Sequence, residues 1–261
     1  MMTDQTQQPG VKEVCIFLSE YASWLLGCGA TCIRIEKNIK RMSEAFGVES
    51  DMQISPAHIH LSVWDRERKD SYNNIKRIHK SGISFNINTQ LSKLSWDVAD
   101  GKLDFAAAKE SFAQITETRP ANKWAVLVLA SLANMSFCRL FNGDPQAMLV
   151  VFIATLVGYR LKQVMLEAKF DVRVVFMCSA FASSVFGAGA YLFEWGSTPE
   201  IAIGTSVLYL IPGIPYINSV SDMLDGHYIC SFSRFIDAVI LTASLSIGLC
   251  GGMLIMGLKW L

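Results

Sequence analysis

The sequence predicts a polytopic α-helical membrane protein, with an N-terminal cytoplasmic α+β domain in residues 1–120 and about five transmembrane helices in residues 121–261. The first observation is charge distribution. Residues 1–123 hold 16 of the 23 Lys+Arg and 15 of the 23 Asp+Glu. The second is that apolar segments follow one another after residue 123, at the length of about 20 residues that crosses a bilayer. The third is a hydrophobic period in residues 1–120 that changes from helical to strand-like and back.

Composition narrows the possible classes of function. Basic and acidic residues both number 23, so the formal net charge is zero. Nucleic-acid-binding proteins usually carry a basic face, so we expect no nucleic-acid partner. The seven cysteines are scattered through mostly apolar runs, which indicates free thiols rather than a disulfide framework. The polar first ten residues predict no cleavable signal peptide.

The first 120 residues predict an α-α-β-β-α-α domain. Apolar residues at three- and four-residue spacing predict four helices. The alternation of apolar and polar residues around Ile59 and Leu61 predicts a strand. Asn88 or Thr89 is expected to cap the third helix. The predicted helices cover residues 11–27, 30–46, 88–99 and 104–115, and the predicted strands cover 53–64 and 71–80.

The remaining residues predict spans at about 124–141, 146–161, 174–193, 201–216 and 235–258. The loops between these spans differ in their number of basic residues. The loop between spans two and three contains Arg160, Lys162, Lys169 and Arg173, whereas the loops 142–145 and 194–200 contain none. The positive-inside rule therefore predicts a cytoplasmic N-terminal domain and a C-terminus outside the cell.

The fourth predicted span runs into a break formed by Pro212, Gly213 and Pro215. Two prolines three residues apart do not fit an undisturbed helix, and Asn218 and Asp222 follow on one face if a helix resumes. Carriers build substrate and ion sites from broken helices with nearby carboxylates, so this stretch is a candidate transport path. The alternative is that the two prolines simply end a span.

Asp237 is a second candidate for the transport path, because a carboxylate inside a span is costly. It could carry a proton or contact substrate. It could also form an ordinary ion pair with Arg234, three residues before it.

The N-terminal domain shows no motif of a catalytic site. His58 and His60 point the same way from one strand, but no third ligand stands at metal-binding spacing, so we expect no metal. Arg34 and Glu36 are two residues apart and cannot pair directly on a helix. We expect no enzyme activity and no cofactor.

Two stretches give the chain a resemblance to a known family. One is Leu26-Gly27-Cys28-Gly29-Ala30-Thr31-Cys32-Ile33-Arg34-Ile35-Glu36, and the other is Pro212-Gly213-Ile214-Pro215 with Asn218, Asp222 and Gly226. With Val98 to Ala108 between them, they resemble the threonine/serine exporter family. The resemblance extends from about residue 15 to residue 250. Its motif positions in the N-terminal domain are Gly27, Gly29, Thr31, Arg34 and Glu36.

The resemblance implies secondary export of small polar metabolites, either threonine- and serine-like amino acids or succinate-like dicarboxylates, across a bacterial inner membrane. It also implies a hetero-oligomer with a second, smaller multi-span subunit. Our leading hypothesis adds coupling to the proton motive force, with Asn218 contacting substrate and Asp222 carrying or sensing a proton. The alternatives are a membrane-anchored enzyme or a regulatory scaffold that acts through the cytoplasmic domain.

Overall fold

The computed structural model describes residues 9–79, 82–118, 121–193 and 195–258. The chain divides into two compact units. The N-terminal unit comprises the described part of Met1–Arg119 together with Ile214–Phe235, and the helical unit comprises Pro120–Gly213 and Ile236–Leu261 in their described parts. Two residues of predicted segments, Lys80 and Glu194, lie outside the described residues.

Two helices begin the N-terminal unit, α1 (Val11–Gly27) and α2 (Cys32–Ala45). The three- and four-residue spacing of Val14, Leu18, Tyr21 and Leu25 places all four on one face of α1, where each is fully buried. The helix ends at Gly27, and Gly29 turns the chain with a φ of 87°, a value that L-residues with a side chain rarely adopt. Both helices lie close to their predicted bounds.

The sheet has three antiparallel strands, β1 (Val48–Ile54), β2 (His58–Asp65) and β3 (Ser71–Arg77), in that order. The prediction of two strands was wrong, because the expected strand 53–64 is the end of β1, a tight turn and β2. Ile54 pairs with Ile59 across that turn. The sequence pattern missed β1 because its central residues are polar except Met52 and only its two ends are buried. The alternation predicted for β2 is confirmed, with Ile59, Leu61 and Val63 buried.

Two more helices, α3 (Phe85–Ala99) and α4 (Phe105–Thr116), complete the core of the N-terminal unit. The predicted cap of α3 was wrong. Ser84 caps the helix by accepting a hydrogen bond from the backbone N–H of Ile87, and Asn88 is a buried residue of the first turn. Asp104 caps α4. In the core, Phe17 packs edge-to-face against Phe46, Phe105 and Phe112, with ring centroids 5.6–6.3 Å apart.

The later part of the chain is helical. Its helices are α5 (Lys123–Leu140), α6 (Pro145–Glu167), α7 (Val172–Leu192), α8 (Pro199–Ser206), a 3-10 turn (Leu208–Leu210), α9 (Gly213–Leu224) and α10 (Tyr228–Ile255). Among the described residues, α5, α6, α7 and α10 are long and apolar enough to cross a membrane. The pair Pro199–Leu210 and Gly213–Leu224 makes a fifth candidate if it is one span. The chain is therefore a polytopic membrane protein by length and composition.

Small residues let the helices of the helical unit approach closely. A Cβ at Gly158 of α6 would collide with the hydroxyls of Ser183 and Tyr209. A Cβ at Gly252 of α10 would collide with the Ser184 hydroxyl on α7. Such contacts are the usual means of helix association in lipid, where burial of apolar surface supplies no driving force.

Candidate functional site

The Pro-Gly-Ile-Pro stretch forms the entry to α9. Ile211 is extended, with φ −60° and ψ 124°, and Pro212 immediately precedes the first residue of the helix. Pro215 is the third residue of α9, where a missing N–H costs nothing because first-turn N–H groups have no partner within the helix. The two prolines therefore separate the 3-10 turn from α9 and let a new helix begin.

Asn218 and Asp222 lie on one face of α9, as their spacing predicts. The Asn218 side-chain amide donates a hydrogen bond of 2.8 Å to the carbonyl oxygen of Gly29. The Asp222 carboxylate accepts one of 2.8 Å from the backbone N–H of Cys32. Both partners belong to the first family-like stretch, so the structure joins that stretch to Asn218 and Asp222 of the second one inside the N-terminal unit.

Arg234 of α10 completes this cluster. Its guanidinium lies 2.9 Å from the second carboxylate oxygen of Asp222, and it donates a 2.8 Å hydrogen bond to the carbonyl oxygen of Ala30. Asp222 is 0% exposed and the Arg234 side chain 18% exposed, so the ion pair is largely removed from water. The backbone of residues 29–32 is thus held by three side chains from α9 and α10.

The buried carboxylate of Asp222 has two compensating contacts. Thr31 is the N-cap residue of α2, but its side chain makes no capping hydrogen bond, and the first turn of α2 has no acidic residue. Asp222 supplies the missing acceptor at the positive end of the α2 dipole. Removing an ion pair from water costs several kcal/mol per ion unless such contacts offset it. Arg234 and the Cys32 N–H provide them here.

A helical hairpin fixes these side chains with respect to one another. The hydroxyl of Ser219 on α9 donates to the carbonyl of Ser231 on α10, and the Ser231 hydroxyl donates to the Ser219 carbonyl. Between the helices, Gly226 has a φ of 86°, and the His227 N–H donates to the Asp222 carbonyl at 2.7 Å. The hairpin therefore presents Asn218, Asp222 and Arg234 on one surface.

Two thiols lie beside the ion pair. A hydrogen bond with the Cys230 thiol, together with burial, raises the pKa of Cys32. Cys230 also donates a weak hydrogen bond to the Ile54 carbonyl at 3.4 Å. Because the thiolate is the reactive form, Cys32 is an unreactive member of the cluster.

The other predicted motif residues have separate places. Gly27 is the last residue of α1. Arg34 is exposed and donates a 3.1 Å hydrogen bond to the Asn88 side chain on α3. Glu36 lies 3.5 Å from the imidazole of His227, an ion pair when the histidine is protonated. Arg34 and Glu36 therefore contact different elements.

Several candidates remain outside the cluster. Asp237 is exposed on the part of α10 that belongs to the helical unit, and the ion pair of Arg234 is with Asp222. His58 and His60 are exposed on β2. Across the described ranges, no group of three or more His, Cys, Asp or Glu side chains is placed to hold a metal ion.

Sequence reasoning missed Arg234, Cys32 and Cys230 as members of the cluster. One signal was available for Arg234. It is the only lysine or arginine between residues 174 and 258, and Asp222 is one of only a few acidic residues there. Isolated opposite charges in apolar sequence often pair, because an unpaired buried charge is expensive.

Taken together, the helices of membrane-spanning length, the broken helix and the buried ion pair of α9 and α10 are features of a polytopic membrane transporter. The chain belongs to the ThrE family, described as "Putative threonine/serine exporter", whose model matches residues 16–256. Membership of this family confirms the resemblance.

Two relatives are similar over almost their whole length. A protein of Klebsiella aerogenes named "Probable succinate transporter subunit YjjP" is 29% identical over 262 residues, which cover 99% of each chain. A protein of the same name from Escherichia coli K12 is 28% identical over 256 residues, which cover 97% of each chain. Comparison with solved structures finds no match.

Proposed function

We propose that this chain is a subunit of a secondary transporter that exports small polar metabolites, either threonine- and serine-like amino acids or succinate-like dicarboxylates. The family supports export, and the printed names of both relatives support succinate and a multi-subunit assembly. The proposed location is the bacterial inner membrane, with the N-terminal unit in the cytoplasm and the C-terminus outside. Basic residues concentrate around the α6–α7 connection, whereas residues 142–145 and 194–200 contain none, and this asymmetry supports the orientation.

The observation that carries the proposed mechanism is the buried ion pair between Asp222, on the helix that follows Pro212 and Gly213, and Arg234 on α10. A charge pair that is desolvated at the end of a broken helix is sensitive to protonation, because neutralising Asp222 leaves Arg234 without its counter-ion. In this proposal, entry of a proton to Asp222 releases residues 29–32 from α9. Export would be coupled to the proton motive force because protonation of Asp222 releases residues 29–32 from α9.

Asn218 and Asp237 have further roles in the proposal. Asn218 exchanges its hydrogen bond to the Gly29 carbonyl for one to substrate when α9 moves. Asp237 is an exposed carboxylate on a helix of membrane-spanning length, and such a group suits a proton path or a partner surface. A second, smaller multi-span subunit of the same family would cover that surface. If it entered the membrane in the opposite orientation, the pair would form an inverted repeat.

Efflux measurements test the proposal. Cells that contain the chain and its second subunit are loaded with succinate or with a threonine-containing dipeptide, and export is measured with and without a protonophore. We expect Asp222→Asn to lower export at least tenfold, and Asp237→Asn to lower it too if the residue lies on the proton path. Asp225→Asn is a matched control, because Asp225 is an exposed carboxylate one turn from Asp222. Equal export by wild type and Asp222→Asn at normal protein levels would eliminate the role of Asp222.

A further inference from the structure

Lys162 lies inside the helical unit in an unusual setting for a lysine. It belongs to the last third of α6, and its ammonium group faces three aromatic rings. The nitrogen is 5.1 Å from the ring centroid of Phe176, 5.3 Å from that of Tyr159 and 6.0 Å from that of Tyr209. Among the described residues, no carboxylate lies within ion-pair distance of this ammonium.

Hydroxyl groups border the same aromatic cluster. The Tyr209 hydroxyl is 2.9 Å from that of Ser183, and it also reaches the Ser179 carbonyl at 3.5 Å. Ser179 is one turn from Phe176 on α7 and is fully buried. Its side-chain oxygen has no hydrogen-bond partner in the described part of the chain.

The structure leaves both polar groups short of a partner. A cation in a membrane span is costly, and contact with aromatic rings offsets only part of that cost. A lysine near a helix end ordinarily extends to water, yet Lys162 is partly buried over three rings instead. A buried hydroxyl without a partner is also unfavourable. An anion that accepts from the ammonium would supply the partner that Lys162 lacks.

Two of the three aromatic side chains around Lys162 also line a cavity of metabolite size, although Lys162 and Phe176 do not. Tyr159 and Tyr209 also line a cavity of about 420 Å³, whose only buried polar side chain is Asn134. Asn134 already donates to Thr155 and to the Thr205 carbonyl, so the cavity walls are mostly apolar. Small-molecule sites span roughly 300–1,000 Å³ and combine apolar walls with a few polar groups.

We propose that Lys162, enclosed by Tyr159, Phe176 and Tyr209, binds a carboxylate of the exported metabolite. This inference rests on the proposed function, and it identifies the chemical group that the helical unit recognises. Threonine, serine and succinate all carry a carboxylate. The same ammonium could meet the phosphate of an anionic lipid, so the test distinguishes these two sources.

The test measures binding to the full chain in nanodiscs of phosphatidylcholine, with radiolabelled succinate and threonine as probes. We expect Lys162→Met to weaken binding at least tenfold and Lys162→Arg to retain most of it. Lys169→Met is the control, because Lys169 is an exposed basic residue in the α6–α7 connection and should leave affinity unchanged. Succinamide, which lacks both carboxylates, should not compete.

Three results would overturn the assignment. The first is equal binding of succinate and threonine by wild type and Lys162→Met. The second is absence of binding by the wild-type chain. The third is loss of phosphatidylglycerol retention in Lys162→Met with unchanged succinate binding, which would make the cluster a lipid site. Thermal unfolding confirms that each variant is folded. Export in cells is measured separately. If the Lys162→Met variant exports the metabolite at the wild-type rate, the role of Lys162 is contradicted and the proposed export function is not.

Discussion

The Asp222 carboxylate accepts a 2.8 Å hydrogen bond from the backbone N–H of Cys32, a residue 190 positions earlier in the chain. The N-terminus of α2 is therefore capped by a side chain of α9 and not by Thr31, its own N-cap residue. Local capping stabilises a helix whether or not distant segments are in place. Here the cap exists only when α9 is docked, so docking of α9 and stability of the first turn of α2 are linked.

The ion pair of Asp222 and Arg234 predicts a non-additive response to mutation. Arg234→Met leaves a buried carboxylate without its cation, and breaking such a pair from one side typically costs about 3–5 kcal/mol. The double variant Asp222→Asn/Arg234→Met has no buried charge left and should be more stable than Arg234→Met alone. Thermal unfolding of the purified full chain gives the melting temperatures of Asp222→Asn, Arg234→Met and the double variant, and their order tests this expectation.

The control for this series is Lys37→Met, which removes an exposed cation from α2 and should change the melting temperature little. If the two single variants and the double variant give additive shifts, the two side chains do not interact in the folded protein.

The thiol of Cys32 gives a second prediction. The neighbouring Cys230 thiol and burial raise its pKa, so the thiol stays protonated at pH 8 and reacts slowly with maleimide. We expect no labelling of Cys32 in the folded chain and full labelling in denaturant, as measured by mass spectrometry of the peptide. Rapid labelling of the folded chain would show that α9 and α10 leave this position open.

Much of the fold follows from local pattern. The bounds of α1 and α4 and the alternation in β2 were predictable because one face of each element is buried and the other is not. Strand β1 was not predictable in this way. Its inner residues are mostly polar, and it is a strand because its backbone pairs with β2 from Val48 opposite Asp65 to Ile54 opposite Ile59.

The candidate site was predictable only in part. Spacing placed Asn218 and Asp222 on one face of a helix, and the resemblance singled out Gly29 and Thr31. Spacing says nothing about residues 190 positions apart, so the hydrogen bonds from α9 to residues 29–32 could not be derived. Local reasoning also offered Asp237 as a partner of Arg234, because it considers only neighbours along one helix.

Gly29 allows a test of how the turn before α2 supports the site. Its φ is 87°, and an added Cβ would lie 3.2 Å from a side-chain carbon of Ile83. Gly47 has a φ of 75° but no atom within 4 Å of an added Cβ. Both alanine variants carry the left-handed strain of about 1–2 kcal/mol, and only Gly29→Ala adds a close contact.

We therefore expect Gly29→Ala to lower the melting temperature more than Gly47→Ala, and Ile83→Ala to recover part of the difference. Gly29→Ala should also weaken export, because the Gly29 carbonyl holds Asn218. Equal melting temperatures for the two glycine variants would mean that the Ile83 side chain moves away from the added Cβ without destabilising the fold.

Asp144 caps α6 in the helical unit and predicts a pH dependence. Its carboxylate accepts hydrogen bonds from the backbone N–H of Ala147 at 2.6 Å, from Ser197 and from the N–H of Thr198 at 3.2 Å. These contacts, led by the Ala147 N–H, lower the pKa of Asp144 from 3.8 to about 2. The carboxylate therefore joins the start of α6 to the segment that precedes α8.

A carboxyl group with a lowered pKa contributes stability that is fully present above its unfolded value of 3.8 and is lost as the pH falls toward 2. Asn is as good an N-cap as Asp, so Asp144→Asn removes the charge and keeps the local cap. We expect Asp144→Asn to have a lower melting temperature than wild type at pH 7. The difference between the two melting temperatures should disappear between pH 4 and pH 2. Asp171→Asn is the control, since Asp171 caps α7 through one hydrogen bond, to the Arg173 N–H, and should show a smaller gap. A gap that stays constant over this pH range would contradict the assignment, because a loss that does not titrate comes from shape or packing and not from the charge of Asp144.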